Sequence, residues 1–282
     1  MKFGKESQTI NEDFNLLIPR TWFQSDANKP LIFTGGTGFS NPALKASLYP
    51  KNCKSKDFLF QYSQIFNGIE YNGSYYKIPD EDKVLFWRSQ IPPNFKFCSK
   101  FPLSISNSKN LGNASIWQKF ERFLTNLDIH RGPAFLQLPR YFDITKKATL
   151  YAILDTKPIC YPFLIELRHE TWFSDKHELE DLCAWLAQLN IGLVITDTPG
   201  RRDVCHMEVC SPYLFIRYLS DGKAKNDEKR INSWISQFLN IGNFGIKEFH
   251  FYLHHPDAVQ MVKFANYLQK NIESRIDAKD TA

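Results

Sequence analysis

Long apolar runs are missing from this chain. None approaches the roughly 18 consecutive apolar residues of a membrane span, so no spanning helix and no membrane partner are expected. The start, MKFGKESQTINEDFNLLIP, lacks the apolar centre of a signal peptide. Cysteine pairs are missing too. The six cysteines (Cys53, Cys98, Cys160, Cys183, Cys205, Cys210) form no C-x-x-C spacing. Cys205-His206 with Cys210 lacks the second half of a zinc site, so no structural zinc is expected. Free thiols in a reducing, cytoplasmic compartment are the reading. Neither sign of charge dominates. The balance of 35 basic against 30 acidic residues leaves +5. That suits an anionic ligand but falls short of the basic stripe of a dedicated DNA binder. No internal repeat or low-complexity linker is visible. GGTG at 35–38 carries neither the P-loop nor the dinucleotide fingerprint, and reads as a tight turn at a strand end.

What is present is a rhythm. Eight short apolar runs recur, each ending in a polar tip: 31–39, 65–73, 95–102, 132–139, 161–169, 191–199, 213–220 and 248–256. Runs this short, rich in Phe, Ile, Leu and Val and bounded by Gly or Pro, suit strands buried on both faces. Helix-like sequence separates most of them, which predicts parallel βαβ units. Eight such units predict a (β/α)8 TIM-like barrel, an α/β fold, in a single domain over 31–275. An irregular N-terminal extension (1–30) would pack outside it through Phe14, Leu16, Leu17, Trp22 and Phe23, and the tail (276–282) would fray. At 43% apolar and 15% aromatic, the 282 residues can fill one large core.

Helices are expected near 54–65, over 80–90 with Asp80 as N-cap, and near 144–155. The clearest period is Ile116, Trp117, Phe120, Phe123, Leu124 and Leu127. A later helix opens with Ser174 as N-cap and buries Leu179, Leu182, Cys183 and Leu186. Another uses Ile231, Trp234, Ile235 and Phe238, and the last starts at Pro256. The segment between the sixth and seventh strands shows no clear helix.

Strand residues two apart share a face. Glu70 pairs with Asn72, Cys98 with Lys100, Phe135 with Gln137, Leu164 with Glu166 and Arg168, and Phe215 with Arg217. In the fifth strand Phe163, Ile165 and Leu167 take the helix-facing side, which sends Glu166 and Arg168 into the barrel. Leu193, Ile195 and Asp197 share a side in the sixth strand. At most one of His254 and His255 faces inward. In such barrels the carboxyl ends of the strands carry the active site. Charges removed from water there need partners, so an ion-pair network competes with a polar pocket as the reading of these tips.

The segments GGTGFSNPALKASLYP, IEYNGSYYKIP, WRSQIPPNFKFCSKFP, GPAFLQLPRYF, IELRHETWF, ITDTP and FIRYL span most of residues 35–256. In this order they resemble the YecE-like proteins, domain-of-unknown-function family 72. The resemblance implies a (β/α)8-like barrel and no established activity. It highlights Glu70, Asn72, Lys100, Gln137, Glu166, Arg168, His169, Asp197 and Arg217 as the family-typical polar set. The chain departs from the family in three places. GFSNPAL stands where members commonly carry a Trp, R-Y-L-S replaces R-L-H-G, and LHH replaces an Asn pair.

The leading expectation is an enzyme acting on a small polar anion by acid–base chemistry at the barrel mouth. Glu70, Glu166, His169 and Asp197 are the candidate catalytic residues. Asn72, Lys100, Gln137, Arg168, Arg217 and His254 are the candidate substrate contacts, Arg217 directly on a phosphate or carboxylate. No cofactor is indicated. A variant gives Glu70, Glu166, Asp197 and His254 a divalent ion for hydrolysis; the interleaved cations argue against it. Nucleic-acid binding across a rim of Lys45, Lys51, Lys54, Lys56, Arg140, Arg201, Arg202 and Arg230 is a further, less favoured reading. A scaffold whose barrel is plugged by ion pairs is the third. Oligomeric state is not legible.

Overall fold

The computed structural model describes residues 15–18, 30–40, 42–107, 111–156, 160–241 and 245–280. Each expected run carries a strand: β1 Leu31–Gly35, β2 Gly68–Tyr71, β3 Lys96–Ser99, β4 Ala134–Gln137, β5 Phe163–Glu166, β6 Ile191–Asp197, β7 Tyr213–Leu219 and β8 Glu248–His254. They are short, and β2, β4, β5 and β6 are buried end to end, because both faces carry apolar side chains. The helices are α1 Pro42–Ser47, α2 Phe58–Ser63, α3 Gly73–Tyr76, α4 Glu81–Arg88, α5 Leu103–Ser106, α6 Ala114–Leu127, α7 Lys147–Asp155, α8 Lys176–Gln188, α9 Ala224–Ile241 and α10 Ala258–Asp280.

Capping decides several boundaries. Asp80 accepts from Lys83 N at 3.0 Å and starts α4, as its sequence predicts. α8 opens one residue later than expected: Asp175, not Ser174, accepts from His177 N and Glu178 N. α10 likewise starts beyond Pro256, where Asp257 accepts from Val259 N and Gln260 N. That helix runs on to Asp280, through most of the segment expected to fray. Between β6 and β7 only a single 3-10 turn forms, Arg202–Val204.

The described ladders are all parallel and form two pieces. Six strands lie in the order β1-β8-β7-β6-β5-β4, and β2 pairs with β3. Backbone contacts reach across both gaps. Glu70 N donates to Gly36 O at 3.1 Å, and Asn67 bonds both Thr34 N and Ile32 O. A Cβ on Gly35 would stand 2.0 Å from Gly68 O, so only glycine permits β1 and β2 to approach this closely. At the other gap Gly132 N donates to Phe97 O and Phe101 N to Phe135 O, each at 2.9 Å.

Apolar side chains divide into two groups. The larger packs the helices on the outer face and includes Trp117, Phe120, Leu182 and Trp234. The smaller joins Cys98, Phe135, Leu164, Val194, Phe215 and Tyr252, one from each of β3 to β8, on the opposite face. Residues 15–18 hold to the outside, with Leu17 N donating to Met207 O and Val209 N to Leu17 O. Leu16 N donates to Gln237 Oε1. Phe14, Trp22 and Phe23 lie outside the described residues.

Candidate functional site

Directly beyond the inner apolar cluster, the carboxyl ends of several strands converge on one guanidinium. Arg217, in β7, is 4% exposed. Its Nε and Nη2 donate to Glu70 Oε2 and Oε1 at 2.9 and 2.8 Å, and its Nη1 donates to Glu166 Oε2 at 2.6 Å. Glu70 comes from β2 and Glu166 from the end of β5. From the end of β4, Gln137 donates Nε2 to Glu166 Oε2 at 2.8 Å. Its Oε1 accepts from Lys100 Nζ, just past β3, at 2.7 Å. Asn72 Nδ2 donates to Glu70 Oε1 at 2.9 Å.

His254, at the end of β8, sets Nε2 3.0 Å from Glu70 Oε2 and 3.3 Å from Arg217 Nη2. A guanidinium only donates, and an ionised carboxylate only accepts. The closer carboxylate is served when Nε2 carries its hydrogen, and that makes His254, after Arg217 and Asn72, a third donor to Glu70.

The charges are mutually adjusted. Burial pushes the Glu70 carboxyl up, but Arg217 and His254 outweigh it and hold it well below the usual carboxylate range. Glu166 is lowered in the same way, burial being overcome by Arg217, Arg168 and Lys100. Lys100 moves differently. Burial, then Arg217, bring its ammonium down to about 8, against the opposing pull of Glu166 and Glu70. Its Nζ bonds a neutral amide oxygen and sits 4.3 Å from the centroid of the Tyr75 ring. Arg168 borders the cluster, with Nε 3.9 Å from Glu166 Oε1. Burial lowers the Arg168 pKa against Glu166, and Arg140, Arg217 and Arg201 lower it further. Arginine charge is therefore concentrated on this side of the strand ends.

Glu70, Asn72, Lys100, Gln137, Glu166, Arg217 and His254 thus form one connected network, with Arg168 at its edge. The other candidates go elsewhere. Asp197 does share a side with Leu193 and Ile195, but that side packs the helices, while Val194 joins the inner cluster. It accepts from Trp234 Nε1 at 2.8 Å and pairs with Arg230 at 2.8 Å and with Arg202. His169 caps a 3-10 turn, its Nδ1 accepting from Thr171 N at 3.3 Å.

Arg230 is 1% exposed, so it belongs to no rim. It donates to the carbonyls of Leu219 and Asp197 at 3.0 Å each. Arg217, expected on an anionic ligand, has both carboxylates as its partners in the fold. The same guanidinium sits among Glu70, Glu166 and His254, so these three do not present an open donor set for a divalent ion. Sequence reasoning also missed the line Glu248–His250–Tyr252–Cys98 beneath the network. His250 Nε2 lies 2.7 Å from Glu248 Oε2, and Tyr252 O–H donates to Cys98 Sγ at 3.2 Å. The period-2 spacing of Glu248, His250, Tyr252 and His254 was the available signal.

This architecture defines an α/β protein of parallel strands with a buried ion-pair network at their carboxyl ends. The chain belongs to the family described as "Protein of unknown function DUF72", whose model matches residues 33–281. It is 32% identical over 141 residues to the UPF0759 protein YecE of Escherichia coli K12, covering 50% of this chain and 52% of that protein. The chain thus spans about half the length of the curated relatives it matches. A DUF72 family protein of Enterococcus faecalis V583 superposes with a TM-score of 0.67 at 20% identity, over 86% of this chain and 96% of that one. A DUF72 family protein of Thermotoga maritima MSB8 gives 0.67 at 20% identity, over 85% and 99%. These likenesses concern the fold. No helix among the described residues is long and apolar enough to cross a membrane.

Proposed function

We propose that the eight strands close into a (β/α)8 barrel and that its carboxyl mouth is the active site of an enzyme moving a proton on a small anionic substrate. Closure is supported by the hydrogen bonds across both gaps and by the inner cluster, to which β3 and β4 to β8 all contribute.

One observation carries the catalytic reading. Lys100 is 5% exposed, its Nζ bonds the neutral Gln137 oxygen, and its ammonium pKa falls to about 8. A lysine so placed is partly a free amine near neutral pH, as a general base requires. Its lone pair takes a proton from a substrate C–H or O–H and later returns it. Gln137 holds Lys100 through Oε1 and Glu166 through Nε2, which fixes the amine relative to the ion pair. Arg168, with Arg140 near it and Arg201 held by Asp203, adds positive charge that favours a phosphate or carboxylate at this side. Glu70, Arg217 and His254 orient this frame and do not touch the substrate. The six free cysteines support a reducing, cytoplasmic setting.

Proton NMR in deuterated water tests the reading on a panel of small keto acids, hydroxy acids and sugar phosphates. Wild type should exchange a carbon-bound hydrogen of at least one compound, and Lys100→Met should abolish that exchange. Absence of exchange and of binding across the panel would favour a second reading, in which the network is a structural plug. The engagement of Arg217 with two carboxylates is the observation favouring the plug.

A further inference from the structure

Beside the central network, a cleft of about 570 Å³ opens between the loop that follows β1 and helix α4. That volume lies within the roughly 300–1,000 Å³ of small-molecule sites. Phe39, Tyr71, Phe86 and Trp87 line it. Phe39 and Tyr71 both meet Trp87 edge to face, with centroids 5.9 and 5.2 Å away. Phe86 remains 43% exposed, a large apolar ring left to solvent beside these others. The charged side chains lining the cleft are Lys56 and Lys83, and no described carboxylate lines it. Lys83 Nζ stands 5.3 Å from the Trp87 ring centroid. A Cβ on Gly38 would meet nothing within 4 Å, so the loop backbone there faces open space.

Each feature narrows the occupant. Ring faces and edges favour a planar partner, because aromatic pairs gain from offset stacking and edge contacts beyond the area they bury. Two ammonium groups with no carboxylate among the described lining residues favour a negative charge. A neutral apolar molecule would leave the positive charge of the cleft unmatched, and a bare inorganic anion would leave Phe86 uncovered. We propose that this cleft binds a small planar aromatic or heteroaromatic anion, its ring against the exposed Phe86 and its phosphate or carboxylate between Lys56 and Lys83; Trp87, 4% exposed and stacked on Phe97, backs the cleft floor. Asn72 also lines the cleft and donates to Glu70, so the inner end of the ligand lies one side chain from the central network. The site does not depend on proton transfer by Lys100.

Calorimetric titration of the full chain tests the proposal. Adenosine 5′-monophosphate and 1-naphthoate are the probes, with adenosine and inorganic phosphate as controls. At least one anionic probe should bind, and its uncharged or ring-free control should bind about tenfold more weakly or worse. Lys56→Ala with Lys83→Ala should weaken the probe by at least about tenfold, and Phe86→Ala should weaken it too. All three positions are exposed, so these variants keep the fold. Lys100→Met should leave the affinity unchanged, which separates this site from the catalytic reading. No binding of either probe at millimolar concentration would overturn the proposal. So would binding that the double lysine variant leaves unaltered.

Discussion

Arg217 and Glu70 come from strands 147 residues apart in sequence and meet through two parallel hydrogen bonds of 2.9 and 2.8 Å. This fork geometry is the strongest form of carboxylate recognition available to a side chain. The pair is buried on both sides, with Glu166 as a third member, so removing one partner strands the others without solvent.

Arg217→Ala should therefore destabilise the protein by about 3–5 kcal/mol, since two buried carboxylates lose their cation. Urea unfolding followed by circular dichroism measures it. Arg217→Met combined with Glu70→Leu should recover a large part of that loss. A stability within 1 kcal/mol of wild type, by an error margin of about that size, would mean the pair is solvated.

Acid should weaken the fold through the same carboxylates. Glu70 and Glu166 have pKa values below their ordinary ones. The unfolded chain binds their protons near pH ~4.3, before the folded chain does. Their contribution is complete above that pH and is lost as pH falls through the lowered folded values. Unfolding midpoints in urea should drop steeply below pH ~4, and Glu70→Gln should flatten the drop.

Lys100 should give a slope of the same sign in a separate, alkaline window. Its folded pKa is about 8, below the ordinary lysine value. The unfolded chain therefore holds the extra proton between pH 8 and ~10.4, and stability should rise with pH across that window. NMR titration of the reductively methylated protein should reveal one lysine near pH 8, absent in Lys100→Arg. A full set of lysines titrating above pH ~10 would remove the basis of the catalytic reading.

Asp197→Ala should behave as a structural lesion. It takes a buried partner from Arg230 and removes the carboxylate that accepts from Trp234 Nε1. A loss of about 3–5 kcal/mol is expected. Deuterium exchange at a substrate carbon should persist at temperatures where the variant remains folded. His169→Ala removes only a cap and should cost about 0.5–2 kcal/mol in thermal unfolding.

The strands and most of the network were legible along the chain because of parity. Along β5 and the two residues beyond it, Phe163, Ile165 and Leu167 are apolar while Leu164 is followed by Glu166 and Arg168, so the two faces declare themselves. In β6 they do not: Leu193, Val194 and Ile195 are all apolar, and neither parity marks the inside. Asp197 reads as a site residue by its position at a strand tip. Its actual side was fixed by Trp234 and Arg230 of α9, which offer an N–H and a guanidinium to a carboxylate that could not otherwise be buried. Composition and period thus determined eight parallel strands, their helix-facing core and the polar ends of most of them. Which acid meets which base was decided only in three dimensions, because pairing energy depends on distance and burial. Neither is written in the spacing of residues 147 positions apart.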